Sequence, residues 1–493
     1  MNRASGIVLH PTSIPGPHGI GDLGGNAYKF IDFLADSKQK LWQILPLGPT
    51  SYGDSPYQCL SSMAGNPLLI SLEVLRDHGY LSAEALSNVP DFPSSHVDFG
   101  WVIPWKKDLL RTAFQQFHAN ANDEDRAAYR EFCANNVFWL EDFVTFSAIK
   151  DAHEGRSWIE WPAAFRSRDE STLTKWKSDN QFELDHQRFL QFQFYRQWHY
   201  LRSYANQRGI QIIGDIPIFV AFDSSDVWAN QHLFELDEQG NPLVVAGVPP
   251  DYFSATGQRW GNPLYRWNLM EQDDYSWWRM RIKALLSQVD IIRIDHFRGF
   301  ESYWEIPASE PTAMQGRWVK GPDIKFFQKI KQYFGDIKII AEDLGVITPE
   351  VEALREGAGL PGMRIFQFGF CDNPNFLPHR YIPNCVVYTG THDNNTTRGW
   401  FNGIPDHERQ FWYRYVGEPT DEQNVTPKMI RMLWSSVANT VLIPLQDALN
   451  LGEECRMNFP GKASGNWGWR YHQDQLSGPL RCWLADMTEV YQR

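Results

Sequence analysis

The sequence predicts an α/β fold: one (β/α)8 TIM barrel over residues 1–493, with inserted, largely helical subdomains after its second and third strands. Two observations carry this. Eight short apolar segments rich in β-branched residues recur along the chain, several of them separated by stretches of helical periodicity. Four of those segments end in carboxylates, at the strand ends where such barrels carry reactive groups.

The first strand, beginning at Ser5, runs into a Pro/Gly-rich loop with a formal GxGxxG, Gly19-Ile-Gly21-Asp-Leu-Gly24. The glycines lie well past the strand, behind Pro11, Pro15 and Pro17, and the next strand, Lys40 to Leu47, ends without the acidic residue a dinucleotide site needs. A nucleotide site is disfavoured. Between the two strands, Asn26 to Ser37 has the apolar spacing of a helix. The polar, aromatic loop Ser51 to Gln58 opens an insertion over 50–205 that reads as mainly helical, with Glu131 to Leu140 and Phe192 to Tyr204 at helical spacing. Its aromatics, Trp158, Trp161, Phe194, Tyr195 and Trp198, are expected in the core.

The third strand is Gln211 to Val220, with Asp215 at its turn. A second insertion, 221–285, contains a loop over 249–265, marked as irregular by proline, glycine and asparagine. Its aromatics Tyr252, Phe253 and Trp260 fit either a cover over a site or a packing plug. The remaining strands are Val289 to Asp295, Ile337 to Gly345, Met363 to Phe370, Cys385 to Asp393 and Thr440 to Gln446, with helices at Ile324 to Phe334 and Asp406 to Tyr415. An ordered loop from Arg456 to Arg470 precedes a closing helix.

Composition narrows the function classes. With 46 Lys and Arg against 59 Asp and Glu, the net charge is −13, which disfavours nucleic acid and anionic membranes as partners. The 21 Trp residues suit the C–H faces of sugars and large cores alike. The six cysteines are dispersed without a CxxC pair, so reduced thiols are expected instead of zinc or disulfides. Neither a signal-peptide pattern nor an apolar run of membrane-spanning length is visible, which makes the cytoplasm the expected location.

The chemistry is read at the strand ends. Arg293 and Asp295 interrupt an apolar run and, two residues apart, share one face of their strand. Alone they fit a structural ion pair as well as an oriented nucleophile. Asp215, Glu342, His392 and Asp393 stand at three other strand ends. No Ser-His-Asp ordering, HExxH or phosphate loop is present, and Arg293 beside Asp295 argues against a metal among the carboxylates. Carboxylates without a metal suit glycosyl transfer: one attacks the anomeric carbon and another protonates the leaving oxygen. Asp295, its pKa expected to be lowered by Arg293, suits the nucleophile. Glu342, behind Ile339, Ile340 and Ala341, suits the acid.

The runs Gly214-Asp215-Ile216-Pro217, Arg293-Ile294-Asp295-His296, Ala341-Glu342-Asp343-Leu344-Gly345 and Thr391-His392-Asp393-Asn394 resemble the four signature regions of α-retaining amylase-type barrels. With His10-Pro11-Thr12-Ser13, Tyr52-Gly53-Asp54-Ser55-Pro56-Tyr57, the loop from Pro250 to Tyr265 and Arg456-Met457-Asn458, the chain resembles the amylomaltase, or 4-α-glucanotransferase, family over essentially its whole length. The resemblance implies an enzyme without cofactor or metal that moves α-1,4-glucan segments between maltooligosaccharides and glucose, with no obligate protein partner. It implies Asp295 as nucleophile, Glu342 as general acid/base and Asp393 as transition-state stabiliser. Around the transferred sugar it implies Tyr57, Asp215, Arg293 and His392, with Ser55, Asp372 and Asn458 as further substrate-binding residues. Tyr252, Phe253, Gln258 and Trp260 match a lid, and Tyr52 a second glucan groove. A hydrolase with the same carboxylates and a non-catalytic glucan-binding barrel are the alternatives.

Overall fold

The computed structural model describes residues 3–250, 254–371, 373–462 and 464–493. Its strands are β1 (Ala4–Val8), β2 (Leu41–Gln43), β3 (Gln211–Pro217), β4 (Val244–Val248), β5 (Gln258–Pro263), β6 (Ile291–Asp295), β7 (Ser302–Pro307), β8 (Arg317–Lys320), β9 (Ile339–Ala341), β10 (Gly362–Ile365), β11 (Cys385–Tyr388) and β12 (Thr440–Pro444). Eight of them pair in parallel in the order β10-β11-β12-β1-β2-β3-β6-β9. The two ends of this sheet meet where Ala341 N donates to Pro361 O at 2.9 Å and Met363 N donates to Asp343 Oδ1 at 2.6 Å. The result is the (β/α)8 barrel.

Alternation along the strands sorts the apolar residues into two layers. Val8, Leu41, Ile213, Ile291, Ile340, Met363, Val386 and Leu442 pack together inside the barrel. Their neighbours Ile7, Trp42, Ile212, Ile292, Val387 and Val441 belong to the outer core under the helices. Asp215 follows Ile213, and Arg293 and Asp295 follow Ile291, in the inward-facing register. The same alternation that fills the barrel therefore delivers these charges to its mouth.

Between β2 and β3 the chain is helical, dominated by Phe99–Asn120, Asp123–Asn135, Val137–Ala152 and Gln181–Gln207. Trp158, Trp161, Phe194 and Trp198 are buried there. The helical stretch read over Glu131 to Leu140 is divided at Asn136, whose side chain donates to Phe132 O at 2.8 Å and accepts from Trp139 Nε1 at 3.1 Å. Such local bonds compete with the helix ladder. Among the described residues no helix is long and apolar enough to cross a membrane.

A second sheet is absent from the sequence reading. It is antiparallel, in the order β5-β4-β7-β8. Its β5 occupies Gln258–Pro263, part of the stretch read as a loop over 249–265. Pairing overrides the turn-forming residues here. Gly247 has no Cβ to collide with the Gln258 carbonyl, which would lie 2.2 Å from one, and Gly261 takes a φ of +81° beside an irregular register. Val245, Ile306 and Ala313 give the sheet its own small core. The sheet joins the excursion after β3 to the one after β6.

The barrel's packing sets a direct test. A Cβ on Gly6, opposite Leu41 in the β1–β2 ladder, would lie 2.2 Å from the Leu41 carbonyl oxygen and 2.5 Å from its Cβ. Gly6→Ala is expected to destabilise the fold by roughly 1–3 kcal/mol or more. Gly25, in the first turn of the helix Gly25–Asp36 with nothing within 4 Å of its Cβ position, is the control, and Gly25→Ala should be neutral or stabilising by up to about 1 kcal/mol. Urea midpoints of the two variants that coincide would contradict this packing.

Candidate active site

The site is assembled on Arg293. In the β3–β6 ladder Asp215 lies opposite Arg293, and one guanidinium nitrogen serves two strands. Arg293 Nη1 donates to Asp215 Oδ1 and Oδ2 at 2.7 and 2.6 Å and to Asp295 Oδ1 at 2.9 Å. Tyr57 OH donates to Asp215 Oδ2 at 2.7 Å, tying the loop after β2 to the barrel mouth. Burial works against the guanidinium's charge, but Asp215 and Asp295 hold its pKa well above that of an ordinary arginine. Burial and the Asp215 charge push Tyr57 well up, which keeps it a hydrogen-bond donor.

The sequence expectation for Asp295 is overturned. Burial at the barrel mouth outweighs Arg293 and pushes this carboxyl up to about 6, so it is raised where the neighbouring charge alone predicts a fall. The side chain keeps 29% of its surface open, and above pH 6 it is ionised and reachable. Glu342, one residue past β9, is buried. Burial first, and then the charge of Asp295, raise it well above the ordinary glutamate value. His296 N donates to Glu342 Oε2 at 2.6 Å and Leu344 N to Oε1 at 2.9 Å. Each oxygen keeps a lone pair for a proton that can point into the mouth. The His296 amide is aimed by a left-handed backbone, φ 53°, an unfavourable conformation for a non-glycine residue that recurs at functional sites.

Asp393 is set the other way. β11 stops at Tyr388, short of the expected strand, and residues 389–396 form a loop. Asn394 Oδ1 accepts from Thr391 N at 2.8 Å and closes the turn. Burial favours the neutral acid at Asp393, but His392, with Nε2 3.3 Å from Asp393 Oδ2, and Asn458, whose Nδ2 donates to Oδ1 at 2.7 Å, hold its pKa down to about 2. His392 is raised in return: burial lowers it and Asp393 more than restores it. Its ring stacks on Tyr57, 5.0 Å between centroids at 17°, with Trp467 5.8 Å from Tyr57 and 5.9 Å from His392.

Ser55 Oγ accepts from Tyr57 N at 3.2 Å and shapes the turn that presents the tyrosine. Trp260 lies on β5 with its Nε1 donating to Gln258 Oε1 at 3.1 Å, and meets the His296 ring edge-on at 4.8 Å. The second sheet thus brings Trp260 beside the turn that holds Glu342. Tyr52 is 74% exposed and makes no ring contact with this cluster. Tyr252, Phe253 and Asp372 lie outside the described residues. Sequence reasoning missed the His296 amide, Trp467 and Arg456, whose Nη2 donates to Asp393 O at 2.6 Å. The run Arg456-Met457-Asn458 was a signal for the last. Among the described residues, His18, Asp22 and Glu73 bring ligand-type atoms within 4.8 Å of one another. Lys106 and Arg470 both interact electrostatically with Asp22 and compete with a cation there.

A raised acid beside an ionisable carboxylate, with a third carboxylate held ionised, is the equipment for displacement at an anomeric carbon. A family model described as 4-alpha-glucanotransferase matches residues 9–476. The chain belongs to the 4-alpha-glucanotransferase family. It is 50% identical to the 4-alpha-glucanotransferase of Thermus thermophilus over 502 residues, covering 100% of this chain and 99% of that one. It is 44% identical to a chloroplastic/amyloplastic 4-alpha-glucanotransferase of Arabidopsis thaliana over 474 residues, 95% of this chain and 81% of that one. Among solved structures, the amylomaltase from Streptococcus agalactiae in complex with acarbose superposes with a TM-score of 0.96 at 38% identity, covering 100% of this chain and 99% of that one. The barrel mouth just described is the candidate site for that chemistry.

The raised Asp295 pKa makes a linked prediction. A carboxyl that titrates near 6 when folded and 3.8 when free costs stability when ionised, fully above pH 6 and not at all below 3.8. Asp295→Asn is therefore expected to be more stable than the parent by up to about 3 kcal/mol at pH 8, the gap closing towards pH 4. Denaturant unfolding at the two pH values measures it, and a gap that does not depend on pH would refute the raised value.

Proposed function

We propose that this chain performs 4-α-glucanotransfer by double displacement at Asp295. The observation that carries the reading is the pairing of an arginine-oriented Asp295 with a Glu342 that burial keeps protonated. In the first step Asp295 attacks the anomeric carbon of the donor, the C1–O4 bond breaks, and Glu342 gives its proton to the departing oxygen. In the second the 4-hydroxyl of an acceptor glucan or glucose gives its proton to Glu342, its oxygen attacks C1, and Asp295 leaves. Asp393, held ionised, offsets the positive charge that develops on the sugar ring. Tyr57, Asp215, Arg293, His392, Ser55 and Asn458 surround the transferred sugar in this reading. Trp260 and Gln258 cover the acceptor side, where excluding water favours a sugar hydroxyl. Exposed Tyr52 belongs to a second glucan contact.

The same proposal takes the chain as one barrel over 1–493 with insertions at 50–205 and 221–285. Six dispersed cysteines without a CxxC pair support a cytoplasmic location.

Pure maltotriose separates transfer from hydrolysis. Glucose together with oligosaccharides longer than the substrate is the expected product set; glucose and maltose alone, with reducing ends rising, would establish a hydrolase. Asp295→Asn should lose essentially all turnover. The pH profile of kcat/KM should fall below about 6 as Asp295 is protonated and fall again at higher pH, above the ordinary glutamate range, as Glu342 ionises. Glu342→Gln should lose at least about 100-fold on maltotriose and recover its first step with maltosyl fluoride, whose leaving group needs no proton. An equal loss on both donors would remove Glu342 from the acid role. Trp260→Ala should lower the ratio of transfer to hydrolysis, and an unchanged ratio would leave Trp260 a packing residue.

A further inference from the structure

Beside the His392–Asp393 pair, between the ends of β1 and β12 and the loop 391–396, lies a pocket whose walls carry an unusual set of atoms. His10 Nδ1, Ser13 Oγ, His392 Nδ1 and Asn395 Oδ1 are all buried without a hydrogen-bonding partner, and all four residues line this one pocket. Asp393 is not on its wall; the loop turns that carboxylate to the other side. Buried polar atoms nearly always have a partner, protein or ordered water, so four together point to a common ligand. The pocket holds about 30 Å3, and a water needs about 10–15 Å3 of this kind of space, which leaves room for about two.

The donors and acceptors decide the arrangement. Asn395 Oδ1 only accepts. Burial, then the charge on His392, push His10 down to about 3, so its ring is neutral and Nδ1 accepts when the proton is on Nε2. Ser13 both donates and accepts. The set is short of donors, and His392 supplies one when both of its ring nitrogens are protonated: Nε2–H faces Asp393 Oδ2 at 3.3 Å and Nδ1–H faces the pocket. Around His392, Asp393 on its own loop and Asp215 and Asp295 from β3 and β6 favour that cation. Arg293 from β6 and Arg456, bonded to the Asp393 carbonyl, oppose it, and His10 after β1, being neutral, adds no charge.

We infer that ordered water fills this pocket and that His10 and Ser13, acting through it, are positioning residues that hold His392 as the imidazolium paired with Asp393. Neither residue touches the sugar in this arrangement. They fix which proton His392 carries and where its ring points, and through it the state of Asp393. The inference deepens the role proposed for that pair and rests on it.

The test uses the full-length protein. A high-resolution crystal structure should show a water hydrogen-bonded to at least two of the four atoms. In protein labelled with nitrogen-15 at histidine, the His392 signals, assigned by their loss in His392→Gln, should show both nitrogens protonated at pH 7. His10→Phe, which fills the pocket with an apolar ring, should expel the water, move the His392 midpoint roughly one pH unit lower and cut kcat roughly tenfold with KM little changed. His10→Gln, which keeps an acceptor, should restore most of both. Ser13→Ala should move the midpoint the same way by less, and serves if His10→Phe does not fold. A dry pocket, or variants that lose kcat while the His392 midpoint stays put, would overturn the inference. Water and midpoint are read without any glucan, so a failure of the transferase reading would show separately, as a wild-type protein that makes no longer oligosaccharides.

Discussion

A single guanidinium nitrogen holds this barrel mouth together. Arg293 Nη1 bridges Asp215 on one strand and Asp295 on its own, and Tyr57 completes the Asp215 shell from the loop after β2. Burying three charges is expensive unless each is paired and hydrogen-bonded, and here the pairing follows from register, since Asp215 and Arg293 are direct neighbours across the β3–β6 ladder. The bridge has two consequences. It fixes the carboxylate of Asp295 in direction, and it locks the loop after β2 to the barrel, so that the wall made by Tyr57, His392 and Trp467 stands in a defined place.

The barrel and its charged strand ends were legible because both are local patterns. Period-two alternation put Ile291, Arg293 and Asp295 on one face, and a charge interrupting an apolar run is visible without any tertiary knowledge. The second sheet was not legible. β5 contains the glycine, asparagine and proline that mark turns, and it becomes a strand only because β4, ten residues before it, and β7, nearly forty residues after it, supply the pairing. The same limit governs the Asp295 pKa. The neighbouring arginine is written in the sequence, but the depth of burial that outweighs it is a property of the closed barrel. His10 and Ser13 illustrate a third kind of gap. They are close in sequence to each other and far from His392, and only the adjacency of β1, β12 and β11 brings them together.

Of the carboxyls at the mouth, three are set apart in their titration by different forces. Asp393 is lowest because His392 and Asn458 bond its charged form against the pull of burial. Asp295 is intermediate because Arg293 partly offsets its burial. Glu342 is raised well above the ordinary glutamate value because burial and the Asp295 charge together outweigh two backbone amides. The last of these contributions depends on the state of Asp295. In the proposed double displacement Asp295 is esterified to the sugar and loses its charge, and the Coulombic part of the rise at Glu342 goes with it. On that reading Glu342, having delivered its proton to the leaving group, sits beside a neutral ester, its two amide donors favour the carboxylate, and its lowered pKa leaves it ionised to take the acceptor's proton. In the same scheme transfer of the sugar to the acceptor restores the charge on Asp295, and with it the raised pKa that favours a protonated Glu342 for the next donor. The separation of titrations is thus a property of the cycle, and it is built from the distance between two side chains at the ends of neighbouring strands, β6 and β9.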